Sequence, residues 1–185
     1  FGITTSGATL DWGATLKNKD GVVKQMTQGV SFLMKKNKID VVNGEASLGA
    51  RGIVTVKGAD GKSATLTTKN TIIATGAKPR EIPAVGAIFD GERILSSWQA
   101  LSMKSVPKSL LIVGAGAIGV EFASMFRTFG SEVTLVEALP RIVPNEDEEI
   151  SAELTKSFGK RGINIMTGAK LNNVAHHGAG IRAVI

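Results

Sequence analysis

Residues 109–137 constrain the fold more than any other stretch of this chain. The order is Ser109-Leu-Leu-Ile-Val113, then Gly114-Ala115-Gly116-Ala117-Ile118-Gly119, then Val120-Glu-Phe-Ala-Ser-Met-Phe-Arg-Thr-Phe-Gly130, then Ser131-Glu-Val-Thr-Leu-Val-Glu137. Leu110 to Val113 is a short apolar run of the kind a central parallel strand requires. Gly114 permits a tight turn, Gly116 leaves the main chain bare, and Gly119 lets the following helix lie close to the strand. Ile118, Phe122, Met125, Phe126 and Phe129 recur at helical spacing and predict one apolar face. Gly130 stands where a helix C-cap glycine belongs. Val133, Leu135 and Val136 make a second strand, which Glu137 closes 23 positions after Gly114.

A strand, a bare turn and a helix tip in this order make an anion cradle, because free N–H groups and the positive end of the helix dipole face the same point. A carboxylate at the end of the second strand can accept hydrogen bonds from the ribose hydroxyls of a dinucleotide, and it would repel a 2′-phosphate. The pattern therefore predicts NAD rather than NADP. Gly-x-Gly-x-x-Gly alone is a weak signal; the strand before it, the helix after it and the terminal acid supply the context that gives it meaning.

The chain has 185 residues, enough for one large domain or two small ones. Its net charge of +6 comes from 22 Lys and Arg against 16 Asp and Glu. The basic residues are scattered, Tyr is absent, and the only short cluster, Lys35-Lys36-Asn37-Lys38, reads as a solvated helix end, so nucleic acid is not indicated. No apolar run approaches the roughly 18 residues of a membrane span. Without cysteine, this stretch holds neither a disulfide framework nor a Cys-based zinc site. It opens on Phe rather than Met, which suggests a cut, and no secretory or transit segment is visible.

In chain order, residues 1–9 read as a loop. A long helix follows from about Asp11 to Lys36, with Leu16, Val23, Met26, Val30 and Leu33 on one packing face, weakened a little by Gly21 and Gly29. Three β-runs come next, Ile39–Val42, Ile53–Val56 and Ala64–Thr67, the last two flanking a turn at Lys57–Gly61. Thr71–Thr75 predicts a buried strand entering a sharp turn at Gly76. Ser96 and Gln99 offer a capping box for a short helix that Pro107 closes off. Beyond Glu137, Pro140 and Pro144 bracket a loop. Asn145–Glu149 starts a helix whose buried face is Ile150, Leu154 and Phe158. Ile163–Met166 is a third parallel strand, and Leu171–Val174 with Ile181–Ile185 predicts a hairpin. His176 and His177 fall at its turn and read as exposed rather than catalytic.

Ala74-Thr75-Gly76-Ala77 with Pro79, together with Gly114 to Glu121, resembles the pyridine nucleotide-disulfide oxidoreductases. Val120 onward, through Gly130 to Glu137, looks most like the dihydrolipoyl dehydrogenase branch. The resemblance covers essentially the whole chain. It implies an α/β fold with a Rossmann-like NAD-binding domain and β-meander, preceded by the back half of an FAD-binding domain of the same type. By that likeness residues 1–83 are the FAD part, 84–108 a linker, and 109–185 the NAD domain. Ala46, after Gly44, matches a family contact to the FAD adenosine, and Thr75, Gly76 and Ala77 match a second FAD contact. Gly114, Ala115, Gly116, Ala117, Ile118, Gly119, Val120 and Glu137 match the NAD pyrophosphate and ribose positions. Leu171 matches an apolar residue flanking the adenine. Glu121 matches a family glutamate between nicotinamide and flavin; it reads equally as a first-turn carboxylate supporting the helix start, by ~0.3–1 kcal/mol.

The resemblance further implies a flavoprotein that passes electrons from dihydrolipoamide, on a lipoyl carrier domain, through a redox disulfide and FAD to NAD⁺. It implies a homodimer serving a 2-oxo acid dehydrogenase complex in the cytoplasm, or in the mitochondrial matrix of a eukaryote. The redox cysteine pair would lie upstream and the His–Glu acid–base pair downstream, so no catalytic residue falls within the chain, which alone should be inactive. Rival readings are glutathione reductase, mercuric reductase or transhydrogenase, and, in another class, a non-catalytic dinucleotide-binding module. The NADP-linked relatives usually carry Arg near the end of the second strand, whereas Arg141 lies four residues beyond Glu137.

Overall fold

A computed structural model of the chain describes residues 6–185. Of the predicted N-terminal loop, residues 1–5 lie outside the described residues. The chain divides into two compact units: Pro79–Ile185 together with the described residues before Lys17, and Lys17–Lys78.

In the first unit, β4 (Ser109–Val113), β5 (Glu132–Val136) and β6 (Asn164–Met166) form a parallel sheet in that order. The register sets Leu110 beside Val133, Val113 beside Val136, and Leu135 beside Ile165. Two helices, α3 (Ala117–Thr128) and α4 (Glu148–Lys160), connect the strands as a parallel ladder requires. The core they build is apolar and closed: Phe126, Leu135 and Ile142 are fully buried, with Val120, Ala123, Val133, Phe158 and Ile163 around them. α3 ends as predicted. Gly130 adopts φ +99°, the Ser131 N–H donates to the Phe126 carbonyl at 3.0 Å, and the Gly130 N–H donates to Arg127 O at 3.1 Å. This is the paired-bond helix stop that glycine favours. Arg161 clasps the two helices, donating to the Ser124 hydroxyl, the Ser124 carbonyl and the Thr128 hydroxyl at 2.7–2.9 Å.

Two positions on the predicted apolar faces are corrected. Ile118 is 60% and Ile150 58% exposed. Each sits in the first turn of its helix, at the tip rather than over the sheet, and the inward places go to Val120 and Ala123 on α3 and to Ser151 on α4. Trp12, in the first turn of α1 (Trp12–Lys36), packs edge-on against Phe129 at 5.2 Å between centroids and donates its indole N–H to the Met103 carbonyl at 2.7 Å.

The capping box forms: Ser96 and Gln99 exchange bonds and start α2 (Ser97–Ala100). The C-terminal hairpin is β7 (Asn173–His177) and β8 (Gly180–Val184), with Gly178 at φ +54° in the two-residue turn. Its first strand runs further than predicted, so His176 and His177 lie within β7 rather than at the turn. His176 is also not a bystander: its Nε2 lies 3.2 Å from Asp90 Oδ2. The other Asp90 oxygen accepts the N–H groups of Glu92, Arg93 and Ile94 at 2.8–2.9 Å. Burial alone would raise this carboxyl, but those three N–H groups and His176 hold it below its ordinary value. Asp90 thereby ties the segment after Pro83 to the hairpin, and a Cβ added at Gly86 would meet the Val174 carbonyl at 2.5 Å.

The second unit contains most of α1 and an antiparallel meander, β1 (Glu45–Leu48), β2 (Ile53–Lys57) and β3 (Ser63–Thr67), in the order β1-β2-β3. Asp11 accepts the Ala14 N–H at 2.9 Å, an N-cap arrangement. Three expectations are corrected here. Val23, Met26, Val30 and Leu33 are aligned as predicted, yet 49–66% exposed, because none of the described residues covers that face. Ile39–Val42 is not a strand. Lys38 adopts φ +56° and the Ile39 N–H returns to Met34 O at 2.9 Å, so the chain is still closing α1 there; the first ladder strand is Glu45–Leu48. Thr71–Thr75 is neither paired nor buried, with Ile72 90% and Ile73 70% exposed. A strand exists by its ladder, and among the described residues this apolar run has no neighbour to pair with.

Candidate functional site

The glycine turn sits between β4 and α3, and its three glycines differ in backbone conformation and surroundings. Gly114 has φ +96°, a region side chains rarely enter, and its N–H continues the ladder to Val136 O at 2.8 Å. A Cβ at Gly119 would collide with the Gly114 carbonyl oxygen and lie 3.6 Å from the Ile112 side chain, so only glycine allows α3 to approach the strand this closely. A Cβ at Gly116 would meet nothing within 4 Å, and the residue is exposed. The turn is open rather than plugged.

Gly116 is also the N-cap of α3, and among the described residues no side chain caps the helix. Among the described residues the N–H groups of Gly116, Ala117 and Ile118 donate to no acceptor. Three unpaired donors converge at the positive end of a helix dipole, with open space before them.

Glu137 lies beside this turn. It is 9% exposed, and its Oε2 accepts the Ala115 N–H at 2.8 Å while Oε1 accepts the Leu139 N–H at 2.9 Å. The carboxylate is aimed at the glycine turn. Each oxygen already holds one N–H and retains a lone pair for another donor. That bracing of the turn was not foreseen from sequence. Arg141 points elsewhere: it bonds Glu148 at 2.7 Å and donates to the Pro144 and Glu146 carbonyls.

Glu121 is exposed and is the fifth residue of α3, so the first turn carries no acid. The reading of Glu121 as support for the helix start is corrected, since the dipole effect fades beyond the first turn. Glu121 instead borders an open groove of about 480 Å³ between α3 and α4, with Ser124, Met125, Phe129, Leu154 and Phe158. Leu171 is half-buried just ahead of β7. In the other unit, Thr75, Gly76 and Ala77 are exposed, Gly76 has φ +77°, and a Cβ there would meet nothing within 4 Å. Ala46 on β1 pairs with Val56 on β2 and is exposed; a Cβ on Gly44, two residues earlier, would meet Lys57 O at 2.5 Å. Among the described residues no group of three His, Asp or Glu side chains is arranged to hold a metal, and no helix is long and apolar enough to cross a membrane.

A family model described as pyridine nucleotide-disulphide oxidoreductase matches residues 2–185. The chain belongs to that family. Dihydrolipoyl dehydrogenase of Chlorobaculum tepidum is 43% identical over 99% of this chain and 39% of its own length. The enzyme of the same name from Acholeplasma laidlawii is 42% identical over 96% of this chain and 52% of its own length. Among solved structures, LpdA from Mycobacterium tuberculosis matches with a TM-score of 0.85 at 25% identity, covering 96% of this chain and 40% of its own. The HOCl-induced flavoprotein disulfide reductase RclA from Escherichia coli matches with a TM-score of 0.79 at 29% identity, over 95% and 39%. The chain thus spans between 39% and 52% of these relatives. It is a pyridine nucleotide-disulfide oxidoreductase chain whose relatives include dihydrolipoyl dehydrogenases, in the α/β fold class read from its sequence.

Proposed function

We propose that the full-length protein is a dihydrolipoyl dehydrogenase and that this chain supplies its NAD cradle and part of its FAD wall. The observation that carries the reading is the open turn at Gly116 with the Glu137 carboxylate bonded to its edge. Bare backbone and unpaired N–H groups fit a diphosphate. A carboxylate one peptide away fits ribose hydroxyls and disfavours a 2′-phosphate, which supports NAD over NADP. The exposed Thr75-Gly76-Ala77 turn and the backbone at Ala46 are assigned to FAD. When bound, the flavin and nicotinamide supply the redox chemistry; these residues bind and orient them. The net reaction is dihydrolipoamide + NAD⁺ → lipoamide + NADH + H⁺, with the disulfide and the acid–base pair contributed outside residues 1–185.

A lipoyl carrier domain as substrate, a 2-oxo acid dehydrogenase complex as partner, a homodimer and a cytoplasmic location belong to the same proposal. The test is NADH formation from dihydrolipoamide and NAD⁺ by the full-length flavoprotein. Lipoamide-dependent turnover with NAD⁺ is expected. A bound flavin without lipoamide turnover would move the protein to another branch, and failure to retain any flavin would favour a non-catalytic module.

A further inference from the structure

Val143 departs from its intrinsic backbone preference. It is β-branched and precedes Pro144, two features that push a residue toward extended backbone, yet it adopts φ +41°. Such a conformation persists only where the surroundings over-determine it. Here they do. Val143 is 9% exposed beside fully buried Ile142. Its carbonyl accepts the Glu146 N–H at 2.9 Å and the Ser151 hydroxyl at 3.4 Å, and its N–H donates to the Ala115 carbonyl at 2.7 Å.

The last bond reaches the glycine turn. Ala115 is fully buried and held on both sides, its N–H by Glu137 and its C=O by Val143. The Ala115–Gly116 peptide is trans, as is every peptide among the described residues. In a planar trans peptide the C=O and the following N–H point in opposite directions. With the Ala115 oxygen fixed inward on Val143, the Gly116 N–H must point outward, where Gly116 is exposed and a Cβ would meet nothing. A flip of this peptide would instead present a carbonyl oxygen to the anion. From this geometry we infer that Val143 is a positioning residue for the phosphate-binding turn, its strained backbone N–H locking the Ala115–Gly116 peptide with the donor facing the dinucleotide.

The inference rests on the NAD reading above and adds a residue in the loop after β5 to it. The direct test replaces Val143, in the full-length protein, with its α-hydroxy analogue by nonsense suppression. The side chain is kept and the N–H becomes an ester oxygen that cannot donate to Ala115. NADH affinity is measured by equilibrium titration, alongside thermal unfolding of the ligand-free protein. The Kd should rise about tenfold, the scale of one charge-assisted hydrogen bond. A purely structural role would lower the melting temperature and leave the Kd of the folded protein within twofold of the parent, and that result overturns the inference. A parent protein that itself binds no NADH would instead refute the NAD reading. If the ester variant does not fold, residue-resolved amide exchange on the parent decides. The Val143 amide should be protected without ligand, and the Gly116 amide should exchange freely until NADH is added. A Gly116 amide already protected without ligand would count against the proposal.

Discussion

Glu137 should matter to this fold before any nucleotide arrives. Its two oxygens accept the Ala115 and Leu139 N–H groups at 2.8 and 2.9 Å. Ala115 is fully buried, so its N–H cannot turn to water if the acceptor is removed; an orphaned buried donor costs ~1–3 kcal/mol. Leu139 is 48% exposed, so its N–H would recover much of the loss from solvent. Glu137→Ala should therefore destabilise the ligand-free protein by about 2–4 kcal/mol, counting the small void as well. Glu137→Gln retains one acceptor, which would turn to Ala115, and sets its amide against the Leu139 N–H near the rim. Its cost should be nearer ~1 kcal/mol. At roughly 4 °C per kcal/mol for a unit of this size, the alanine variant should melt about 8–16 °C lower and the glutamine variant about 4 °C lower. Thermal unfolding without nucleotide reads this directly. If both variants melt within a degree of the parent, the carboxylate does not brace the turn and the reasoning fails.

Gly119→Ala places a methyl against the Gly114 carbonyl oxygen, a backbone atom with no rotamer to escape into. A loss of ~1–3 kcal/mol is expected in urea unfolding, with weaker NADH binding as the tip of α3 is pushed off the strand. Lys38 holds the left-handed position after α1 at φ +56°, so Lys38→Gly should stabilise the chain by up to about 1 kcal/mol, read from the urea midpoint. The Asp90 carboxyl is held below its ordinary 3.8, so its contribution is fully present above that value and is lost as pH falls through the depressed one. The melting-temperature gap between parent and Asp90→Asn should be full at pH 6 and should close below about pH 4; a gap that widens in acid would contradict the assignment.

How far the sequence could be read depended on how local the cause was. β4, α3 and β5 were legible because an apolar run, three glycines, a helical period and Gly130 all act within a few residues of themselves. The capping box at Ser96 and Gln99 was legible for the same reason. Elements that need a neighbour were misjudged. Thr71–Thr75 has the composition of a buried strand but no described strand to pair with, and the apolar stripe of α1 has no described surface to cover it. The bond between His176 and Asp90 spans the distance from one segment to a hairpin far along the chain, and no periodicity announces it. Val143 was invisible for a stronger reason: valine before proline signals extended backbone, and only tertiary contacts hold it otherwise. In the site, the openness of Gly116 and the proximity of Glu137 were anticipated. That Glu137 already bonds the turn was not, because a backbone N–H leaves no mark in a sequence.

The central claim is that the turn at Gly116 and the acid at 137 are built for NAD. Equilibrium titration of the full-length protein with NADH and with NADPH under identical conditions tests it most directly. NADH should bind tighter by tenfold or more, about 1.4 kcal/mol, because a 2′-phosphate would meet like charge at Glu137. Equal affinity for the two, or tighter NADPH, would contradict it.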